Sequence, residues 1–184
     1  MISLFLGPMF SSKTTSMIAE IDRYCCAQQH CILIVHALQT QDCVLMHSGD
    51  QRKNSEFLKI IVTDSLKKVD DEVAAAAAVG IDEGQFFPDL NHVTTWADAG
   101  RAVFIAALDG TYERKPFTNV LEIIPLAEHV IKLSAVCMHC KNLICSGAFS
   151  YRTSCETETI VVGGADKYVT LCRKCYNARV LFSN

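Results

Sequence analysis

Basic charge is in short supply in this sequence. Lys and Arg number 17 against 20 Asp and Glu over 184 residues, a formal net charge of -3, and the isoelectric point is near 6.0. A chain whose main business is coating nucleic acid carries a basic patch or stripe, so nucleic acid is not an expected partner. Also lacking are an apolar run of membrane-spanning length and a basic flank before the apolar stretch Ile2 to Leu6. Neither a membrane span nor a secretory signal is therefore expected, and the chain reads as a soluble cytoplasmic protein. In that compartment its 10 cysteines are expected to be thiols or metal ligands rather than disulfides. Half of the residues are hydrophobic, enough to build one main core with room for a small appendage.

The most informative stretch is the first loop, Gly7-Pro8-Met9-Phe10-Ser11-Ser12-Lys13-Thr14. It follows an apolar run and opens onto a segment with Met17, Ile18, Ile21 and Cys25 at helical spacing, the order of a buried strand, a tight turn and a helix start. Phosphate binding needs such a turn. Backbone N–H groups and the helix N-terminus surround the phosphates, a Lys reaches their oxygens, and a Ser or Thr hydroxyl ligates Mg²⁺. Those last two roles fall to Lys13 and Thr14. The P-loop pattern asks for Gly before the Lys and this chain has Ser12, so an ordinary strand-to-helix turn is the competing reading.

Further along, Cys31–Val35 is a short apolar run suited to a strand buried on both faces. Residues 39–70 are polar and irregular and read as a long loop with room for one helix. Within 73–81, alanines favour helix, but the second half reads as a strand ending at Gly80-Ile81-Asp82-Glu83. Residues 90–100 read as a crossover helix, Ala102–Leu108 as a further strand, a helix starts near Thr118, and His129–Val136 reads as the last strand of the domain. Strands separated by helical crossovers predict a doubly wound parallel α/β domain over residues 1–136.

In such sheets ligands sit at the carboxyl ends of strands, where an acid helps to hold Mg²⁺. Asp82 is placed for that. Glu83, expected on the other side of an extended strand, could take a proton from a hydroxyl that attacks a phosphate. The alternative is that both acids cap the following helix.

After Val136, Cys137-Met138-His139-Cys140 and Cys172-Arg173-Lys174-Cys175 form two C-x-x-C pairs. Together they supply the four thiolates of a tetrahedral structural zinc site, which sets residues 137–184 apart as a small zinc-binding domain. Between the pairs, Thr159–Val162 followed by Gly163-Gly164 reads as a strand entering a flexible turn. Cys25, Cys26, Cys31, Cys43, Cys145 and Cys155 lack a pairing pattern and read mostly as packing residues.

The set GPMFSSKTT, GIDEGQFFPD, AALDGTYERKPF, LSAVCMHC and VVGGADKY with CRKCY, in this order and spacing, closely resembles the type II thymidine kinases over nearly the whole chain. The resemblance implies ATP-dependent phosphorylation of the 5′-hydroxyl of thymidine or deoxyuridine with Mg²⁺, in a homotetramer whose subunits carry a structural Zn²⁺. It further implies that Gly7, Pro8, Met9, Phe10, Ser11, Ser12, Lys13 and Thr14, with Asp82 and Gln85, bind the nucleotide and its metal, and that Glu83 is the catalytic base. Phe86, Leu108, Tyr112, Phe117 and Tyr168 would line the thymine pocket. The loop carrying Thr159, Ile160, Val161, Val162 and Gly163 would close over the nucleoside, anchored by a zinc on Cys137, Cys140, Cys172 and Cys175.

Two departures stand out. Ser12 replaces the family's Gly, and Leu38-Gln39-Thr40-Gln41-Asp42 replaces its Lys-Asp-Thr-Arg-Tyr, so that an acid and an arginine become Gln39 and Gln41. They support a second reading, a catalytically weakened or inactive nucleoside-binding relative. A third, a zinc-ribbon nucleic-acid binder, conflicts with the acidic balance of charge.

Overall fold

The computed structural model describes residues 1–38, 56–141, 144–154, 156, 161 and 163–182. Its centre is a parallel sheet of β1 (Ile2–Gly7), β2 (Cys31–His36), β3 (Leu58–Thr63), β4 (Ala78–Ile81), β5 (Ala102–Leu108) and β6 (His129–Lys132), in the order β3-β2-β4-β5-β1-β6. β1, β2 and β4 are buried along their whole length and β5 up to its last residue, which is why they appear in the sequence as uninterrupted apolar runs.

Alternate residues of these strands feed two separate cores, one on each face. Phe5, Leu33 and Phe104 pack against Met17, Ile18 and Ile21 of α1 (Lys13–Cys26). On the other face Leu4, Ile34, Ile81 and Ile105 pack against Val73 of α2 (Asp70–Ala74), Val93 and Trp96 of α3 (Val93–Asp98), and Val120 and Ile123 of α4 (Thr118–Ile123). Helices on both faces of an all-parallel sheet make the doubly wound α/β architecture expected from the sequence.

Two assignments change. β3 lies inside the stretch read as irregular, and the rest of that stretch as far as residue 55 is outside the described residues. As an edge strand β3 leaves most of its residues exposed or half-exposed, so Lys59 interrupts what would otherwise be an apolar run. Residues 129–136 are not one strand. β6 ends at Lys132, Leu133 N–H donates to the Leu6 carbonyl at 2.7 Å, and the chain then leaves the sheet to form β7 (Ala135–Val136), antiparallel to β8 (Ser146–Gly147). The C-terminal part adds the pair β9 (Phe149–Arg152) and β10 (Tyr168–Leu171) and the helix α5 (Arg173–Phe182). They close over a small core of their own, with Cys137, Leu171, Cys172 and Tyr176 buried.

Candidate active site

The loop from Gly7 to Thr14 sits at the carboxyl end of β1. Gly7 has φ 153, and a Cβ there would lie 2.5 Å from the Leu133 carbonyl oxygen and 2.8 Å from Ser11 Oγ, so only glycine fits. Phe10 at φ 60 and Ser12 at φ 63 both take the left-handed conformation. Glycine, which the P-loop pattern asks for at position 12, takes that conformation freely, whereas a non-glycine residue there carries about 1–2 kcal/mol of strain. Ser11 Oγ and Lys13 Nζ each donate to the Pro8 carbonyl at 2.8 Å. Lys13 is only 6% exposed. Burial pulls its pKa below the ordinary lysine value, while the negative charges of Glu83 and Asp82 pull the other way.

Those two acids lie at the end of β4, separated from β1 in the sheet by β5. Thr14 Oγ1 donates to Asp82 Oδ1 at 2.8 Å, so the two residues read from the sequence as metal ligands are in direct contact. Asp82 is buried, and its pKa is raised to about 7 by burial and by the Glu83 charge, against the opposing hydrogen bonds from Thr14 and the Glu83 N–H and the charge of Lys13. Glu83 differs from expectation. It does not continue an extended strand but turns into the left-handed region at φ 52, ψ 49, and opens the 3₁₀ turn Gly84–Phe86. Its side chain makes no capping bond and instead accepts a hydrogen bond from Gln85 Nε2. Gln85 Oε1 in turn accepts from the Leu108 N–H at 2.9 Å, which fixes the turn to the end of β5. Helix capping therefore does not explain this acidic pair.

The residues assigned to the base pocket come from both parts of the chain. Phe86 is half-buried in the turn, its ring 5.7 Å from that of His36, and Leu108 ends β5. Phe117 packs at the edge of the larger core, two residues before Asn119. Asn119 Nδ2 donates to the carbonyls of Gly84, Gln85 and Phe87 at 3.4, 3.2 and 2.9 Å, tying Phe117's helix to Phe86's turn. Tyr112 lies in the loop after β5, closed by the Thr111 N–H donating to the Lys115 carbonyl at 2.8 Å. Tyr168, on β10, is buried and donates to the Val161 carbonyl at 2.9 Å. Gly163 packs beside Lys167, whereas Thr159, Ile160 and Val162, like Gln39 and Gln41, lie outside the described residues.

Ser150, Arg152, Asn119 and Tyr176 also join the site, although no sequence motif carries them. Ser150 Oγ accepts the Met9 N–H at 3.0 Å, joining β9 to the first loop. Tyr176 O–H donates to the Tyr112 carbonyl. The available signal was on β9, where the inward phase of an alternating strand is filled by two polar residues, Ser150 and Arg152.

Sγ of Cys137, Cys140, Cys172 and Cys175 lie within 4.8 Å of one another, the donor set and spacing of a tetrahedral Zn²⁺ site. Burial pushes the Cys137 thiol up, yet backbone N–H bonds from Cys140, Cys172 and His139, joined by a side-chain hydrogen bond from Cys140, overcome this and bring it down to about 6, which favours the thiolate that a metal requires. His139 Nδ1 lies 3.5 Å from Cys175 Sγ. Of the remaining cysteines described, Cys31 is buried, Cys25 and Cys145 are half-buried, and Cys26 is exposed rather than packed. Cys43 and Cys155 are outside the described residues.

Residues 1–176 match the family described as thymidine kinase. The thymidine kinase of rabbit fibroma virus (strain Kasza) is 42% identical over 176 residues, 95% of either chain. That of raccoon poxvirus is 43% identical, covering 95% of this chain and 96% of its own. The cytosolic thymidine kinase of Homo sapiens is 43% identical over 95% of this chain and 72% of its own length.

Proposed function

Because the chain belongs to the thymidine kinase family, we propose that it transfers the γ-phosphate of ATP to the 5′-hydroxyl of thymidine. The observation that carries this reading is the contact of Thr14 with Asp82 at 2.8 Å. It brings the loop of residues 7–14 and the acids of β4 together, with buried Lys13 near enough to feel the charges of both Glu83 and Asp82.

In this reading the N–H groups of residues 7–14 and Lys13 Nζ hold the ATP phosphates, Lys13 exchanging the Pro8 carbonyl for a phosphate oxygen. Thr14 and Asp82 would hold a Mg²⁺, which supplies charge neutralisation on the phosphates. Glu83 takes the proton of the 5′-hydroxyl as that oxygen bonds to the γ-phosphorus and the bond to the ADP oxygen breaks. Gln85 contributes through Glu83 and Leu108. Phe86, Tyr112, Phe117 and Tyr168, with Leu108, offer apolar walls to a pyrimidine, and residues 159–163 contribute to binding the nucleoside.

The reading extends to deoxyuridine as a second substrate, to a structural Zn²⁺ on the four cysteines and to a homotetramer. It divides the chain into a nucleotide-binding domain, 1–136, and a zinc domain with the covering loop, 137–184. A cytoplasmic location is supported by relatives from Gallus gallus and Homo sapiens named cytosolic; no described helix is long and apolar enough to cross a membrane.

The test is transfer of labelled phosphate from ATP to thymidine by zinc-loaded protein. Thymidine monophosphate is the expected product. Thymidine binding without transfer would favour the inactive relative that Ser12, Gln39 and Gln41 suggest.

A further inference from the structure

Arg152 is 6% exposed at the inward phase of β9, a position that strand alternation reserves for apolar side chains. Its guanidinium lies 3.9 Å from the centroid of the Tyr112 ring and 5.3 Å from that of Tyr168. Nη2 and Nε donate to the Tyr168 hydroxyl at 2.8 and 3.3 Å, and Nη1 donates to the Glu156 carbonyl at 3.1 Å. The Tyr168 hydroxyl in turn donates a hydrogen bond to the Val161 carbonyl at 2.9 Å. One planar cation thus touches the loop after β5, strand β10 and the start of the segment leading to residues 159–163, and through Tyr168 it reaches Val161.

We propose that Arg152 is a positioning residue of the nucleoside pocket. It sets the gap between the Tyr112 and Tyr168 rings and ties them to the Glu156 and Val161 carbonyls. The inference rests on the reading above that these side chains line that pocket. A guanidinium suits the task because it stacks with its face and donates along its edge at the same time; an ammonium cannot do both in one fixed geometry. The Tyr112 carbonyl accepts the Tyr176 hydroxyl, one residue from Cys175, so the loop that carries Tyr112 is tied to the cysteine cluster as well as to β9.

The role predicts an effect on nucleoside capture rather than on phosphate transfer. In full-length, zinc-loaded protein, Arg152→Lys should raise the KM for thymidine about tenfold and Arg152→Met further, with kcat within about threefold and the KM for ATP unchanged. Tyr168→Phe keeps the ring but loses the hydroxyl that links Arg152 to Val161. It should raise the thymidine KM similarly, and the double variant Arg152→Lys, Tyr168→Phe should be no worse than the larger single effect.

Should Arg152→Met fail to fold, the Lys and Phe variants carry the comparison alone. A thymidine KM within twofold of wild type in both would overturn the role, as would a parallel loss of kcat and of affinity for both substrates. Wild-type protein that neither binds nor phosphorylates thymidine would overturn the functional reading itself.

Discussion

The hydroxyl of Thr14 donates to Asp82 Oδ1 at 2.8 Å, across the end of β5. Asp82 also accepts the Glu83 N–H at 3.1 Å, yet its pKa is raised to about 7 because burial and Glu83 outweigh these bonds. The folded protein keeps a proton that the unfolded chain loses near pH 4, so in metal- and nucleotide-free protein this group's stabilisation is present at low pH and disappears as pH rises from about 4 to about 7. Asn can accept both hydrogen bonds without charge. Urea denaturation should therefore find Asp82→Asn more stable than wild type at pH 8 by roughly 2–4 kcal/mol and equal to it near pH 4. Equal stability at both pH values would mean that Asp82 is not destabilised by burial.

Ser12 at φ 63 predicts a gain in both stability and ATP affinity when it is replaced by glycine. Ser12→Gly removes left-handed strain of about 1–2 kcal/mol but adds freedom to the unfolded chain. Stability should rise by about 0.5–1 kcal/mol, and the KM for ATP should fall by up to about tenfold where the same strain opposes phosphate binding. An unchanged or raised KM for ATP would show that the serine is accommodated without loss.

Asn119 holds three carbonyls of the acidic turn with one amide. Asn119→Ala strands acceptors that are partly buried and should cost about 1–3 kcal/mol in denaturation. It should also lower kcat, because the freed turn carries Glu83.

The cysteine cluster predicts a separable effect. With Zn²⁺ on the four cysteines as proposed, Cys175→Ser, or chelation of the ion, should release the helix that carries Tyr176 and with it the Tyr112 loop. Thymidine KM should rise several-fold before ATP KM changes, and the thermal midpoint should fall by about 4–8 °C or more. Equal loss of both substrates would place the metal's influence on the whole fold.

What could be read from sequence follows from what burial leaves visible. β1, β2, β4 and β5 are apolar through most of their length because helices cover both faces, and the phosphate loop and the C-x-x-C pairs keep their chemistry within a few consecutive residues. β3 was hidden because an edge strand tolerates Lys59. The break between Lys132 and Ala135 was hidden because apolar residues continue through Leu133 while the backbone changes sheets. Glu83 looks in the sequence like the next residue of a strand, since nothing in Asp82-Glu83-Gly84 distinguishes continued extension from a left-handed turn. Arg152 required the pairing of β9 with β10 and the approach of Tyr112 from a distant part of the chain, neither of which is local.

The most direct measurement compares wild type with Glu83→Gln in two assays on the same zinc-loaded protein, single-turnover phosphate transfer from ATP to thymidine and calorimetric binding of thymidine. Glu83 acting as the base predicts a fall in transfer rate of about 10²–10⁴-fold, with thymidine affinity within about threefold of wild type. Transfer that survives the substitution within tenfold would contradict the assignment of proton transfer to Glu83.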